Sequence, residues 1–100
     1  MDITQIWMSQ RNLRRVGQIP AMVQKLHQGE NLPRIELICG EDGEYQVRDG
    51  HHRLVAIWLS GRRELRRDEY LILDQDRHRT RCGKIERLAG LCPIDSLTTW

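Results

Sequence analysis

The sequence contains no apolar run that approaches the roughly 20 residues a membrane-spanning helix needs. Closely paired cysteines are also missing, since Cys39, Cys82 and Cys92 are far apart, odd in number and not preceded by a secretory leader. A soluble, cytoplasmic protein with reduced thiols and no membrane partner is therefore expected. The scattered cysteines also argue against a structural zinc site, which needs closely spaced ligand pairs.

Internal repeats, low-complexity segments and linker-like stretches are absent as well, so the 100 residues should form one domain. The net charge is only +2, but the basic residues are unevenly placed. Residues 1–47 carry five basic and six acidic side chains, whereas residues 48–87 carry eleven basic and seven acidic. This excess of positive charge is suited to attracting a phosphate-bearing partner, although arginines beyond a helix end also simply offset the helix dipole.

Short stretches of alternating or apolar residues predict about four strands. Residues 3–7 indicate a short first strand. The clearest signal is a hairpin, in which residues 34–39 and 45–48 alternate in polarity on either side of an Asp-Gly turn. Residues 69–73 are mostly apolar and predict a further, buried strand.

Three helices are predicted from apolar spacing. The first has apolar residues at i, i+3, i+4 and i+7 from Ile19, a proline in its first turn and Gly29 just past its end. The second, residues 54–59, is apolar around most of its circumference and must be largely buried. The last carries Cys82 and Ala89 on one face and is stopped by Gly90. Strands and helices together predict an α+β fold.

The segment Asp49-Gly50-His51-His52-Arg53, here called the DGHHR turn, lies where the second hairpin strand runs into the buried helix. With Asp49 as the N-cap, the next four residues form a first helical turn whose backbone N–H groups have no helical partners. Gly50 lets a ligand approach the backbone closely, while His52 and Arg53 add side-chain donors. The turn is therefore predicted to bind an anion such as phosphate.

Asp49 creates a conflict in that prediction, because its carboxylate competes with a phosphate for the same N–H groups. A Mg²⁺ ion bound by Asp49 together with a nucleotide would reconcile the two, since carboxylate and phosphate oxygens are the usual ligands of Mg²⁺. No other cofactor is expected.

The order of these elements, and the sequence Val-Arg-Asp-Gly-His-His-Arg-Leu-Val-Ala at residues 47–56, resemble the fold shared by sulfiredoxin and the N-terminal domain of ParB partition proteins. The resemblance covers residues 3–74 and implies that residues 1–100 are one compact domain with a small mixed or antiparallel sheet. Residues 75–100 add a C-terminal helix and tail. In the family this strand-to-helix turn holds nucleotide phosphates, so the resemblance implies that phosphates are faced here by Gly50, His51, His52 and Arg53.

The DGHHR turn departs from two branches of that family. Sulfiredoxins have a Gly-Gly-Cys-His-Arg turn whose cysteine is the nucleophile, and His51 at that position argues against reductase activity. ParB proteins have a Gly-Glu-Arg-Arg turn followed by a helical DNA-binding domain, which is not expected in a chain of this length. The Asp-Gly-His-His-Arg form is similar to ParB-like nucleases and to free-serine kinases, although the kinases are longer.

Each residue of the DGHHR turn also has a purely structural interpretation. Asp49 serves only as a helix cap, and the two histidines lie at the surface or bond to neighbouring backbone. Arg53 forms a salt bridge to Glu44 or Asp49. These interpretations stay open beside the binding interpretation.

The first functional hypothesis is a phosphate-ligand or nucleotide-binding ParB-like domain. Phosphohydrolase, nuclease and phosphotransfer reactions are its candidate activities. Its candidate catalytic residues are His52, Asp49 and Glu30, the last because the loop after the first helix approaches the turn in the family fold.

Two other hypotheses come from different classes of protein. One is a DNA-associated partition or regulatory module that holds nucleic acid through arginines in three basic segments, chiefly Arg11, Arg14, Arg15, Arg62, Arg63 and Arg66, with further residues at 77–81. The other is a non-catalytic interaction protein that forms a homodimer or binds a small partner protein through an exposed apolar patch.

Overall fold

Three α-helices and a three-stranded sheet are formed by residues 1–73 and 80–90, the part of the chain that the computed structural model describes. The helices are α1 (Ile19–His27), α2 (His51–Leu59) and α3 (Ile85–Ala89), and the strands are β1 (Ile35–Cys39), β2 (Tyr45–Asp49) and β3 (Tyr70–Leu73). Short 3-10 turns lie at Ile3–Gln5, Val16–Gln18 and Arg67–Glu69. The predicted single α+β domain with three helices is confirmed. None of the helices in these ranges is both long and apolar enough to cross a bilayer.

The sheet is mixed, with β1 in the centre, β2 antiparallel on one side and β3 parallel on the other. β1 and β2 form the predicted hairpin, in which Cys39 pairs with Tyr45 beside the turn and Glu36 pairs with Asp49 at the far end. Gly43 lies in the turn with a φ of +81°, which glycine adopts without strain. A parallel neighbour for β1 requires a crossover, and the segment containing α2 supplies it.

The predicted first strand is replaced by a 3-10 turn and one bridging residue. Asp2 caps this turn, because its carboxylate accepts hydrogen bonds from Thr4 N at 2.8 Å and Thr4 Oγ1 at 2.6 Å. Such local bonds compete with strand formation. Trp7 alone then pairs with β2, donating from its N–H to Tyr45 O and accepting from Val47 N, both at 2.9 Å. Within the described residues the sheet therefore has three strands rather than the predicted four.

The hydrophobic core joins the sheet to the helices. Ile35, Leu37 and Val47 contribute from the sheet, and α2 contributes four consecutive buried residues, Leu54–Ile57. The prediction that this helix is largely buried is confirmed. Because α2 packs against α1, α3 and β1 at once, its N-terminus is held in place by tertiary contacts rather than by helix propensity.

α1 lies beside α2 and runs in the same direction. Arg15, which precedes α1, contacts His52 in the first turn of α2. His27, at the end of α1, lines a cavity together with Ser60, which follows α2. The N-terminal ends of both helices therefore meet at the DGHHR turn, and their C-terminal ends meet at the opposite side of the helix pair.

β3 is an edge strand and not the buried strand that its apolar sequence predicts. Leu71 and Ile72 are 44% and 42% exposed. An apolar run is typical of strands covered on both faces, but the described part of the chain pairs β3 with β1 alone. The apolar side chains of this strand therefore remain accessible here.

α3 begins at Ile85 rather than at Cys82, because the preceding residues pair with the N-terminal segment. Cys82 N donates to Met8 O and Met8 N donates to Gly83 O, both at 2.8 Å. Gly83 has a φ of +91°, which a right-handed helix cannot contain. Of the predicted C-terminal region, residues 75–100, the parts at 75–79 and 91–100 lie outside the described residues.

Candidate functional site

The DGHHR turn joins β2 to α2 through a glycine in the left-handed region. Gly50 has a φ of +111° and occupies the N-cap of α2 without any side-chain cap. A Cβ atom at this position would lie 3.1 Å from Ile35 Cγ1 and 3.2 Å from Ile35 Cα. Backbone conformation and packing therefore both require glycine. The prediction that Asp49 is the N-cap is wrong, because Asp49 is still the last residue of β2.

Asp49 and Arg53 are paired with each other across the turn. Arg53 Nη2 donates to Asp49 Oδ2 at 3.1 Å, and Arg53 Nη1 donates to the carbonyl oxygen of Arg34 at 2.6 Å. The salt-bridge interpretation of Arg53 is thus confirmed, with Asp49 as the partner. Arg53 fastens α2 to the segment before β1 instead of pointing free donors at a ligand. The carboxylate of Asp49 is engaged away from the cap position, so it does not occupy the N–H groups of the helix.

His51 is buried, with 2% of its surface exposed. Its Nε2 accepts a hydrogen bond from Ser9 N at 3.0 Å. The Ser9 hydroxyl lies 3.2 Å from the same nitrogen and donates to Val47 O at 2.6 Å. The side chain of His51 therefore anchors the N-terminal segment to the turn and, contrary to the prediction, cannot face a phosphate in solution.

His52 is half-buried and, like His51, accepts a hydrogen bond from a backbone N–H group of the N-terminal segment. Its Nε2 accepts a hydrogen bond from Arg15 N at 3.0 Å. Burial lowers the pKa of His52, and the positive charges of Arg15 and Arg53 lower it further. A ring nitrogen that accepts must be unprotonated, so His52 is neutral with its proton on Nδ1.

The two histidines hold both ends of the segment Ser9–Arg15, here called the arginine loop. Within it Leu13 is buried in the core, while Arg11, Arg14 and Arg15 are exposed. The Arg11 carbonyl also accepts from Arg87 Nη1 at 3.1 Å. The sequence suggested this loop and the DGHHR turn as parts of two alternative sites, and the structure brings them together. Ser9 was missed because it acts partly through its backbone N–H, which leaves no residue-type signal.

Free backbone donors complete the site. The first helical hydrogen bond of α2 is donated by Leu54 N to Gly50 O at 2.9 Å. The N–H groups of His52 and Arg53 precede that bond in the first turn and so have no acceptor inside the helix. One buried acceptor in the arginine loop, Gln10 Oε1, also has no partner within the described ranges. The site thus presents positive charge and backbone donors on one side of the molecule.

Two arginines of the predicted nucleic-acid surface interact with other side chains of this protein and are not free to contact a ligand. Arg62 forms a two-point ion pair with Glu69, in which Nη1 donates to Oε2 at 2.6 Å and Nη2 donates to Oε1. Arg63 lies over the ring of Trp58, with Cζ 3.6 Å from the ring centroid, and donates to Trp58 O at 2.8 Å. Arg66 is exposed, although its Nε lies 4.0 Å from Glu69 Oε1.

The basic segment at residues 77–81 is described only from residue 80 onward. Arg81 donates to Asp42 Oδ2 at 2.6 Å and to Glu44 Oε2 at 3.1 Å, so its charge is used at the hairpin turn. The predicted contribution of Arg77 and Arg79 lies outside the described residues.

Glu30 does not lie at the DGHHR turn. It lines a cavity of about 150 Å³ that is shared with Ser60 and Arg62, at the C-terminal ends of α1 and α2. A nine-residue helix spans about 13 Å, so the length of α2 separates this cavity from His52. The three predicted catalytic residues are therefore not brought together, because the loop after α1 follows the far end of the helix pair.

Glu69 should make stability depend on pH. The side-chain hydrogen bonds from Arg62 hold the pKa of Glu69 below its usual value, against the effect of burial. A lowered carboxyl pKa contributes stability above about pH 4.5, and this contribution is lost as the pH falls through the folded-state pKa. Glu69→Gln is expected to lower the free energy of unfolding by about 1–2 kcal/mol at neutral pH and to reduce the loss on acidification.

Urea unfolding at neutral pH and at about pH 3 measures this effect. Glu41→Gln, in the exposed hairpin turn, is the matched control and should leave both midpoints nearly unchanged. Identical stabilities of Glu69→Gln and wild type at neutral pH would show that the pair with Arg62 is not stabilising.

Within residues 1–73 and 80–90, no three His, Cys, Asp or Glu side chains group closely enough to hold a metal ion by themselves. The conflict that suggested Mg²⁺ is also removed, because the N-cap is Gly50 and the carboxylate of Asp49 is paired with Arg53. Mg²⁺ bound with a nucleotide stays a prediction.

No protein-family model matches the sequence, and neither a curated protein nor a solved structure is significantly similar to it. The likeness to the ParB and sulfiredoxin fold rests on residues 47–56 and on the order of the elements, and it stays a prediction.

Proposed function

We propose that this chain is a phosphate-ligand-binding domain, with nucleotides among its ligands, and that the site lies between the DGHHR turn and the arginine loop. The observation that carries the proposal is the pair of hydrogen bonds from Ser9 N to His51 Nε2 and from Arg15 N to His52 Nε2. They hold an exposed, three-arginine segment against the N-terminus of a rigidly packed helix.

Electrostatics support this placement. Helix N-termini favour anions, because unpaired N–H groups and the helix dipole both present positive charge there. The charges of Arg15 and Arg53 are close enough to lower the pKa of His52, which indicates a positive potential at the turn. Arg15 is exposed, and among the described residues its guanidinium forms no ion pair. A phosphate would receive charge-assisted hydrogen bonds from Arg15 together with the N–H groups of the turn.

A compact phosphate ligand is favoured over a nucleic-acid duplex. Binding to a duplex requires many free cationic side chains along an extended surface. Here Arg62 is paired with Glu69, Arg63 is held over Trp58, and Arg81 is paired at the hairpin turn. Three exposed arginines, Arg11, Arg14 and Arg15, instead lie within the arginine loop, which is only seven residues long.

The geometry supports binding ahead of turnover. Acid–base catalysis needs a group that can exchange a proton within reach of the ligand. His52 Nε2 is occupied by Arg15 N, Asp49 is paired with Arg53, and Glu30 lies at the far end of α2. The predicted hydrolase, nuclease and phosphotransfer activities therefore have no assembled acid–base pair among these candidates.

Thermal unfolding in the presence of chosen probes tests the proposal. Inorganic pyrophosphate and a nucleoside triphosphate should raise the Tm, whereas the matching nucleoside should not. A ligand present at 100 times its Kd adds about 2.7 kcal/mol to the free energy of unfolding, which is several degrees for a domain of this size. Equal Tm shifts with the nucleoside and the triphosphate would show that the phosphates do not contribute to binding, which would contradict the proposal.

The same titration repeated with a chelator tests the Mg²⁺ prediction. If the ion is bound with the nucleotide, removing it should weaken triphosphate binding. The Tm of the protein without any ligand should not change. Equal affinity with and without the chelator removes Mg²⁺ from the account, while the proposed phosphate site remains.

A further inference from the structure

The bond between Arg15 and His52 can exist only when the imidazole is neutral. Arg15 N is a donor, and His52 Nε2 accepts from it at 3.0 Å. Protonation places a hydrogen on Nε2, so two donors would then face each other across that distance. The backbone N–H of Arg15 cannot change its role, so this hydrogen bond is lost when the ring becomes charged.

We propose that protonation of His52 releases the C-terminal end of the arginine loop, so that the site binds its phosphate ligand at neutral pH and loses affinity as the solution becomes acidic. This inference rests on the proposed function, because it concerns the control of that same site. Loop release separates Arg15 from the N–H groups of α2, and the ligand loses the combined set of donors.

The surroundings of His52 keep the ring neutral at ordinary pH. Arg15 from the loop and Arg53 from α2 are the charged groups that act on it among the described residues, and both oppose protonation. Burial opposes it as well, so the pKa of His52 lies below its ordinary value of 6.5. The loop is therefore fully held above that value and is released as the pH falls through the lower folded-state pKa.

The direction of the effect separates this inference from simple electrostatics. An added positive charge at an unchanged site attracts an anion more strongly, so acidification would then increase affinity. Loop release has the opposite result, since protonation removes Arg15 from the site. The sign of the pH dependence therefore decides between a fixed loop and a released one.

Sulfate is a suitable probe, because it stays fully ionised across the range in which histidine titrates. Its affinity is measured calorimetrically from about pH 8 to about pH 5 for the wild type, His52→Gln and His52→Ala. The wild type should bind roughly two- to tenfold more weakly at the acidic end, as expected for the loss of one ordering hydrogen bond. His52→Gln keeps an acceptor that does not titrate, so its affinity should no longer change with pH. His52→Ala should bind weakly throughout.

A second measurement without ligand separates failure of the inference from failure of the proposed site. The backbone order of Arg14 and Arg15, measured by ¹⁵N relaxation, should fall in the wild type as His52 titrates and stay constant in His52→Gln. Wild-type affinity that is unchanged or stronger in acid, or order that does not change with the titration of His52, would overturn the inference. If sulfate binds at no pH but the loop still loses order as His52 titrates, the proposed function fails and the release stands.

Discussion

Replacing Gly50 with alanine is expected to lower the free energy of unfolding by about 2–5 kcal/mol. The left-handed backbone at this position, with φ of +111°, costs an L-residue roughly 1–2 kcal/mol. The new methyl group would also lie 3.1–3.3 Å from three atoms of Ile35, which is itself fully buried. Overpacking of this kind typically adds about 1–3 kcal/mol, because buried β1 cannot easily move away.

Gly61→Ala is the matched control for this substitution. Gly61 follows α2 with a comparable φ of +101°, but an added Cβ would meet no atom within 4 Å. Gly61→Ala should therefore lower the free energy of unfolding only through the strained backbone conformation, by roughly 1–2 kcal/mol. Urea unfolding of both variants isolates the contact with Ile35 as the difference. Equal losses for the two variants would mean that close packing at the DGHHR turn does not constrain the glycine.

Removing one charge from the arginine loop should weaken phosphate binding more than removing a charge elsewhere. Arg15→Gln is expected to reduce affinity for pyrophosphate roughly tenfold or more, because a charge-assisted hydrogen bond contributes about 1.5–3 kcal/mol. The hydrogen bond to His52 is made by the backbone of residue 15, so it survives the substitution and the loop should stay in place.

Lys25→Gln provides the control with the same change in net charge. Lys25 is exposed in the last turn of α1, at the opposite end of the helix pair from the DGHHR turn. Its replacement should change affinity less than twofold at moderate salt, because exposed charges beyond a Debye length are largely screened. Calorimetric titration of both variants measures the contrast. Similar losses would indicate a general charge effect and no defined site.

The hairpin and the first two helices could be predicted because their signals are local. The alternation around Asp42-Gly43 fixes the register of β1 and β2, and the spacing from Ile19 fixes the buried face of α1. The first strand and the start of the last helix were predicted wrongly, the former because of a local side-chain bond and the latter because of a distant partner. The hydrogen bonds that Thr4 donates to the Asp2 carboxylate replace the first strand. The pairing of Met8 with residues 82–83 shortens the last helix.

The position of the candidate site could be predicted from the sequence, but the hydrogen-bond partners of its side chains could not. The glycine, histidines and arginine at a strand-to-helix junction mark the turn from sequence alone. The partners of the histidines are backbone N–H groups 37 and 42 residues away, and backbone donors carry no residue-type signature. Only the three-dimensional structure shows that His51 and His52 hold the arginine loop. Of the two partners considered for Arg53, it selects Asp49.

Mapping pyrophosphate onto the backbone amides by ¹H–¹⁵N NMR tests the proposed site most directly. The largest shifts are expected at the N–H groups of His52 and Arg53 and at Arg15, where the helix N-terminus and the arginine loop meet. Amides at the other end of α2, around Arg62 and Arg66, should change little. Shifts centred on that second group, or no shifts at saturating pyrophosphate, would contradict the account.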